Sequence, residues 1–213
     1  MGRCARVLLA ALVTGSPPCA SAGQPQAPAP AQRAEPRPAP PPQPRPHSTR
    51  VVVDPARVSV DDGDTVVIRW GEHDQEIVRI LGIDTPETRH PEHNIPYPQP
   101  FGLEARAFAK GAFAAATRIE LLRAATLDPF KRTLGYLFLN GRNYSVLVVT
   151  ARLAEESVTF YGDNGFPAEA AEVVAAAKAA GPLPFEPPHQ YRTRMRHVTN
   201  WMKSQGLDPA DTP

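Results

Sequence analysis

The sequence predicts an α+β fold, a small β-barrel flanked by helices, and three observations carry that expectation. Short β-branched runs recur between residues 50 and 81, separated by tight-turn signals. A single alanine-rich helical stretch follows, and then two more apolar strands. Further helices are expected beyond the last strand.

The elements come in this order. Val51-Val52-Val53 and Val58-Ser59-Val60 lead into the turn signal Asp61-Asp62-Gly63. Thr65 to Trp70 and Glu76 to Leu81 form two further strands around Gly71-Glu72-His73-Asp74, which reads as an antiparallel meander. A proline-punctuated loop from Arg89 to Pro100 precedes a helix over 103–117, with Leu103, Ala107, Phe108, Gly111 and Ala115 near one face. Strands at 119–122 and 134–139 end at the turn pair Asn140-Gly141. Short helices follow at 146–154 and 168–180. Five strands with a helix between the third and fourth is the order of an OB-type barrel, whose surfaces often bind nucleic acid. A last helix is expected at 190–204, burying Tyr191, Met195, Val198 and Met202 and leaving Arg192, Arg196 and Lys203 in solvent. An auxiliary nucleic-acid grip is the alternative reading of that basic face.

The ends differ from the middle. Residues 1–22 read as a secretory signal, with Arg3 and Arg6 before an apolar run at 7–13 and Ala20-Ser21-Ala22 as the cleavage site. The apolar run is too short for a membrane span, which needs roughly 20 residues, so no membrane insertion is expected. A lipoprotein reading of Cys19 is weakened by Pro17 and Pro18. Residues 23–49 hold ten of the 26 prolines and read as an extended linker. The expected division is therefore signal 1–22, linker 23–49, a folded domain at 50–180 and a helical tail at 181–213. Both cysteines, Cys4 and Cys19, fall in the signal, so a secreted or periplasmic mature protein has no disulfide. A monomer is expected.

Residues 50–213 carry 18 Lys and Arg against 21 Asp and Glu, a net of −3. Non-specific nucleic-acid binders usually show a basic excess. A nucleic acid must therefore be held by local arginines and a bound cation, not by the overall field.

The chemistry lies in Asp62-Gly63-Asp64-Thr65, Arg79, Asp84-Thr85-Pro86-Glu87 and Arg132. Carboxylates are hard oxygen ligands for Ca²⁺ or Mg²⁺, and a guanidinium grips phosphate through two parallel hydrogen bonds. Each piece alone is an ordinary turn or a surface arginine. Their joint occurrence between strands suits phosphodiester cleavage. His90-Pro91-Glu92-His93 offers a rival zinc site, but Pro91 disrupts helical presentation, and a solvated loop is the favoured reading.

These motifs, with Phe101-Gly102-Leu103-Glu104-Ala105 and Arg132-Thr133-Leu134-Gly135-Tyr136, resemble the staphylococcal nuclease-like (thermonuclease) family over about residues 50–165. The resemblance implies Ca²⁺ held by Asp64, Asp84 and the carbonyl of Thr85, with Asp62 behind them. It implies catalysis by Arg79, Arg132 and Glu87, the last orienting or deprotonating water. DNA and RNA would be the substrates, cut to leave 3′-phosphate ends. A site with two aspartates and a carbonyl should bind loosely, near the ~10⁻⁴–10⁻³ M of extracellular Ca²⁺ modules. Phe130-Lys131 stands where the family commonly has Tyr-Gly. Phe130 lacks a hydroxyl for phosphate, and Lys131 does not readily take a positive φ. Lys131 either shifts the turn or supplies a compensating charge. Phe130, Lys131 and Tyr161, with Phe160, are the candidate substrate contacts. A barrel module that binds without turnover is the alternative function.

Overall fold

The computed structural model describes residues 39–211. Both the expected signal at 1–22 and the first part of the expected linker, 23–38, lie outside the described residues. In chain order the elements are β1 (Arg50–Val53), β2 (Val58–Val60), β3 (Thr65–Arg69), β4 (Gln75–Ile80), β5 (Ile83–Asp84), α1 (Gly102–Ala114), β6 (Ile119–Leu127), β7 (Thr133–Leu139), β8 (Arg142–Asn143), α2 (Tyr144–Thr150), β9 (Glu155–Glu156), α3 (Val158–Tyr161), α4 (Pro167–Ala180) and α5 (Pro188–Ser204).

The fold is the α+β, OB-like arrangement that the strand order predicts, a mixed sheet curled into a half-barrel with helices around it. Its hydrogen-bonded order is β1-β6-β7-β4-β3-β2, with β8 on β7 and a separate β5-β9 pair. Alternation along β4 buries Glu76, Val78 and Ile80 and turns Gln75 and Ile77 outward. Val66, Ile68, Val78, Ile80, Ile119, Leu121 and Leu137 fill the interior. Two features depart from a simple meander. β1 pairs antiparallel with β6 rather than with β2, and β4 pairs in parallel with β7. Parallel neighbours have no hairpin turn between them, so local turn signals do not reveal them.

α1 is rotated from its expected face. Ala105, Ala109 and Phe113 are buried, while Leu103, Ala107, Gly111 and Ala115 are exposed. With alanine on every side, the bulky Phe113 decides the packing. α2 starts two residues before its expected position because the Asn143 side chain caps it, accepting from the Ser145 amide at 3.0 Å.

The expected linker 23–49 does not stay outside the folded domain to its end. Residues 41–48 run beside β6, with the Gln43 amide donating to the Ala125 carbonyl and the Ser48 amide to Arg123, each at 2.9 Å. Below them lies a buried polar cluster. Arg123 donates from Nε and Nη2 to the two Glu76 oxygens at 2.7 and 2.8 Å, and the two residues are 2% and 4% exposed. Thr133 Oγ1 and Trp70 Nε1 each add a bond to Glu76 at 2.7 Å. Gln43 Nε2 donates to Thr133 at 3.1 Å, and Arg123 Nη1 to the Pro46 carbonyl at 3.1 Å. Burial alone would raise the Glu76 carboxyl, but the bonds from Arg123, Thr133 and Trp70 outweigh it and hold it below the usual range.

α5 packs away from this core. Tyr191 and Met195 join Ile95 in a small second cluster, with Val198 against it. Tyr191 Oη donates to the Tyr97 carbonyl at 3.0 Å and Thr199 Oγ1 to Asn94 at 3.2 Å. No helix among the described residues is long and apolar enough to cross a membrane.

Candidate active site

Three local devices bring the two acidic turns together at one end of the barrel. Gly63 is the first. A Cβ there would stand 2.7 Å from the Thr85 side chain, so only glycine lets the turns touch. Asp64 is the second, since its Oδ2 accepts from both the Thr85 amide at 2.7 Å and the Thr85 hydroxyl at 2.9 Å. The start of α2 is the third: Tyr144 Oη donates to the Gly63 carbonyl and Ser145 Oγ to the Leu81 carbonyl, both at 2.7 Å. Neither Tyr144 nor Ser145 stood out in the sequence. Their only signal was a polar pair opening a helix just after the Asn140-Gly141 turn.

Arg79 reaches this junction from β4, where it pairs with Thr65 of β3. It makes ion pairs with Asp64 Oδ1 and, at 2.9 Å, with Asp84 Oδ1. Asp84 sits in β5, buried, two residues past the positive-φ Gly82 that bends the chain out of β4. Glu87 follows, half-buried. Gln99 brackets its backbone, its side chain accepting from the Glu87 amide at 3.2 Å and its own amide donating to the Glu87 carbonyl at 2.8 Å. Gly102 is required here as well, because a Cβ would fall 2.3 Å from that carbonyl.

A third guanidinium overturns the sequence expectation for the last helix. Arg192 of α5 does not lie in solvent. It bonds Asp84 through Nη1 to Oδ1 at 3.0 Å and Nη2 to Oδ2 at 2.8 Å, and Glu87 Oε1 at 2.6 Å. The apolar stripe is as expected, but the next residue along the helix faces the acidic cluster rather than water.

Asp64, Asp84 and Glu87 thus share two guanidinium groups, those of Arg79 and Arg192, while Asp62 accepts from the Asp64 amide at 3.0 Å and has no ion pair among the described residues. Burial and the Asp64 charge push Asp62 up to about 7. Burial raises Glu87 too, although Arg192 opposes the shift. Burial also works against the charge on Asp64, but Arg79 and the Thr85 bonds outweigh it and keep that carboxyl low. Oxygen donors with surplus negative charge are the chemistry a hard divalent cation takes. Asp64 and Asp84 carry such oxygens at this junction.

Among the described residues Arg132 bonds none of these carboxylates. Strand β7 begins at Thr133, aligned in parallel with Val78, so Arg132 lies one strand from β4 and on the same face as Arg79. Its bonds among the described residues go to Asp128, with Nε donating at 2.7 Å, and its guanidinium lies 5.5 Å from the Phe130 ring. Lys131 takes the positive φ after all, at 64°. Asp128 makes that turn possible, its Oδ1 accepting from the Phe130 amide at 2.9 Å and the Arg132 amide at 2.7 Å. Phe130 is 79% exposed. Tyr161, 69% exposed, lines a cleft of about 290 Å³ together with Asp84, Glu155, Ser157, Phe160 and His189. The aromatic pair therefore borders the acidic cluster.

His90, Glu92 and His93 bring ligand atoms within 4.8 Å of one another. Both ring nitrogens of His90 are engaged, by Thr88 at 2.8 Å and Glu92 at 3.1 Å, and Glu92 and His93 are exposed.

Residues 77–181 match the sequence model of the family described as "Staphylococcal nuclease homologue". The stretch includes Arg79, Asp84, Thr85, Glu87 and Arg132 and ends before α5. Two proteins named "Thermonuclease" are similar. That of Staphylococcus intermedius is 37% identical over 106 residues, covering 49% of this chain and 59% of the relative. That of Staphylococcus hyicus is 33% identical over 108 residues, covering 50% and 60%. The chain spans about three fifths of the length of these curated relatives.

Proposed function

Because this chain carries a staphylococcal nuclease-like domain, we propose that it is an exported, Ca²⁺-dependent nuclease acting on DNA and RNA. The observation that carries the reading is the convergence of Asp64, Asp84, Arg79 and Glu87 on one partly open cluster short of positive charge. Export rests on the signal-like residues 1–22.

Asp64, Asp84 and the Thr85 carbonyl would hold the cation, and a bound Ca²⁺ supplies polarisation of a phosphoryl oxygen. The chain's own residues do the rest. Arg79 faces the charge that develops on the phosphoryl oxygens and stabilises it by charge-assisted hydrogen bonds. Arg132, on the same face of the sheet, exchanges its bond to Asp128 for the phosphate and adds a second guanidinium. Glu87, fixed by Gln99, orients a water and takes its proton as the water oxygen bonds to phosphorus. The bond to the 5′-oxygen breaks, that oxygen takes a proton from solvent water, and a 3′-phosphate and a 5′-hydroxyl remain. Tyr161 and Phe160, at the rim of the cleft, offer faces on which a base can stack. Phe130 and Lys131 lie beside Arg132, where they meet the strand being cut.

One observation favours a second reading, a barrel module that binds without turnover: Arg192 occupies both Asp84 and Glu87. Digestion of plasmid DNA and of RNA by the purified protein, with Ca²⁺ and then with a chelator, separates the two. Cleavage that needs Ca²⁺ and leaves 3′-phosphate ends is expected. Equal cleavage in both conditions removes the metal from the reading, and none in either leaves the binding module.

A further inference from the structure

We propose that Arg192 is an internal rival of the divalent cation, a residue of α5 that sets how tightly the site takes its metal by occupying Asp84 and Glu87 until the cation displaces it. The inference rests on the reading of Asp64 and Asp84 as cation ligands. It concerns a residue that lies beyond the stretch matching the nuclease family, which ends at 181.

The first argument is one of valence. Both oxygens of Asp84 accept from Arg192, and Oδ1 accepts from Arg79 as well. A cation needs those lone pairs, and it demands a direct oxygen ligand where the guanidinium needs only hydrogen bonds. Three of the roughly four lone-pair sites on Asp84 are therefore taken, and a cation at what remains would face two guanidiniums, so binding one weakens the hold of the other. The same guanidinium is bonded to Glu87 at 2.6 Å, so its release also frees the carboxylate that the reaction uses.

The second argument is that Arg192 is delivered by its helix. Tyr191, beside it in sequence, is buried against Ile95, and Met195, one turn on, joins the same cluster. A helix fixed at these points leaves the arginine little choice of direction. Its side chain remains 30% exposed, so it has water to turn into when displaced.

The third argument is that α5 can yield without cost to the barrel. Its apolar contacts form a cluster separate from the main core, and its carbonyl contacts are to Asn94 and Tyr97 in a loop. Such satellite units open at lower free energy than a central core. The helix carries Arg192, Arg194, Arg196 and Lys203 and no Asp or Glu. Arg194 is paired with Glu186 and Arg196 and Lys203 are exposed, so a divalent cation arriving at Asp84 repels chiefly Arg192 and, more weakly, the rest of the helix.

Calorimetric titration of Ca²⁺ into the full chain, without nucleic acid, reads the competition directly. Arg192→Met should bind Ca²⁺ at least about tenfold more tightly than the wild type, as expected when a charge-assisted competitor is removed. Arg192→Lys keeps the charge but loses the two-pronged grip, and should fall between them. Asp84→Asn should bind poorly in either background. Hydrogen exchange supplies a second readout: amides over 188–204 should exchange faster when Ca²⁺ is added to the wild type, and should already be fast in Arg192→Met. Equal affinities in wild type and Arg192→Met, with Asp84→Asn still weak, would overturn the rivalry and leave the metal site standing. Slower exchange of α5 on adding Ca²⁺ would overturn it equally. No Ca²⁺ binding by wild type or Arg192→Met would remove both the rivalry and the reading beneath it.

Discussion

Two buried arginine–carboxylate clusters in this molecule are built from the same side chains to opposite ends. At Glu76, each carboxylate oxygen receives two donors, from Arg123 with Thr133 on one side and Arg123 with Trp70 on the other. At the two acidic turns, three carboxylates share two guanidiniums, and a fourth, Asp62, stands beside them without an ion pair among the described residues. The Glu76 carboxyl is accordingly held down, while Asp62 and Glu87 are pushed up. A saturated cluster has nothing left to bind and serves the fold. An under-compensated one keeps lone pairs and charge for a cation, which is what the proposed function draws on.

The comparison can be broken where the effects are largest. Arg123→Ala should cost about 3–5 kcal/mol by leaving the Glu76 charge buried and uncompensated. Urea unfolding measures it, and a loss below about 1 kcal/mol would make the cluster dispensable. In the acidic cluster the sensitivity should reverse. Glu87→Ser should lower turnover about 10²-fold while the urea midpoint barely moves. Arg132→Ala should lower it by a similar factor, as for a lost transition-state donor. A trivial effect there would show that Arg132 stays with Asp128 throughout.

Acid sharpens the contrast further. A carboxyl held below its unfolded value binds fewer protons in the folded state, so its contribution to stability is fully present above the unfolded value of about 4.3. It is lost as pH falls from there through the folded value. Glu76 should therefore drive acid unfolding below about pH 4.3, and Glu76→Gln should flatten that limb of the stability profile. An unchanged limb would assign it to other carboxyls. The smallest expected effect is at the turn beside Arg132. Lys131→Gly removes a side chain from the left-handed region and should stabilise the fold by about 1 kcal/mol. The variant also removes a charge proposed to meet the strand being cut, so KM for DNA should rise while kcat changes little if Arg132 is well placed already.

The strands were legible because Thr65-Val66-Val67-Ile68 and Ile77-Val78-Arg79-Ile80 alternate between turn residues, and local pattern suffices for local structure. The acidic turns were legible because glycine, aspartate and proline crowd them. What escaped depends on partners distant in sequence. Glu76 and Arg123 stand 47 residues apart, and neither strand advertises that it buries a charge. Arg192 lies 108 residues from Asp84. Helical periodicity placed it on the polar face and could say nothing of what that face would meet. Linker composition misled in the same way. Prolines at 40–46 suggested a free spacer, yet a chain that donates few amides can still lie along a strand that needs only one or two.

That stretch bears on how the protein tolerates being shortened. Gln43 braces the threonine that braces Glu76, and the carbonyl of Pro46 caps the arginine beside it. Trimming at Arg50, where the first regular strand begins, would open a keystone joint to water from above and weaken the barrel far from the cut. A trim that stops before Ala39 would leave the joint roofed.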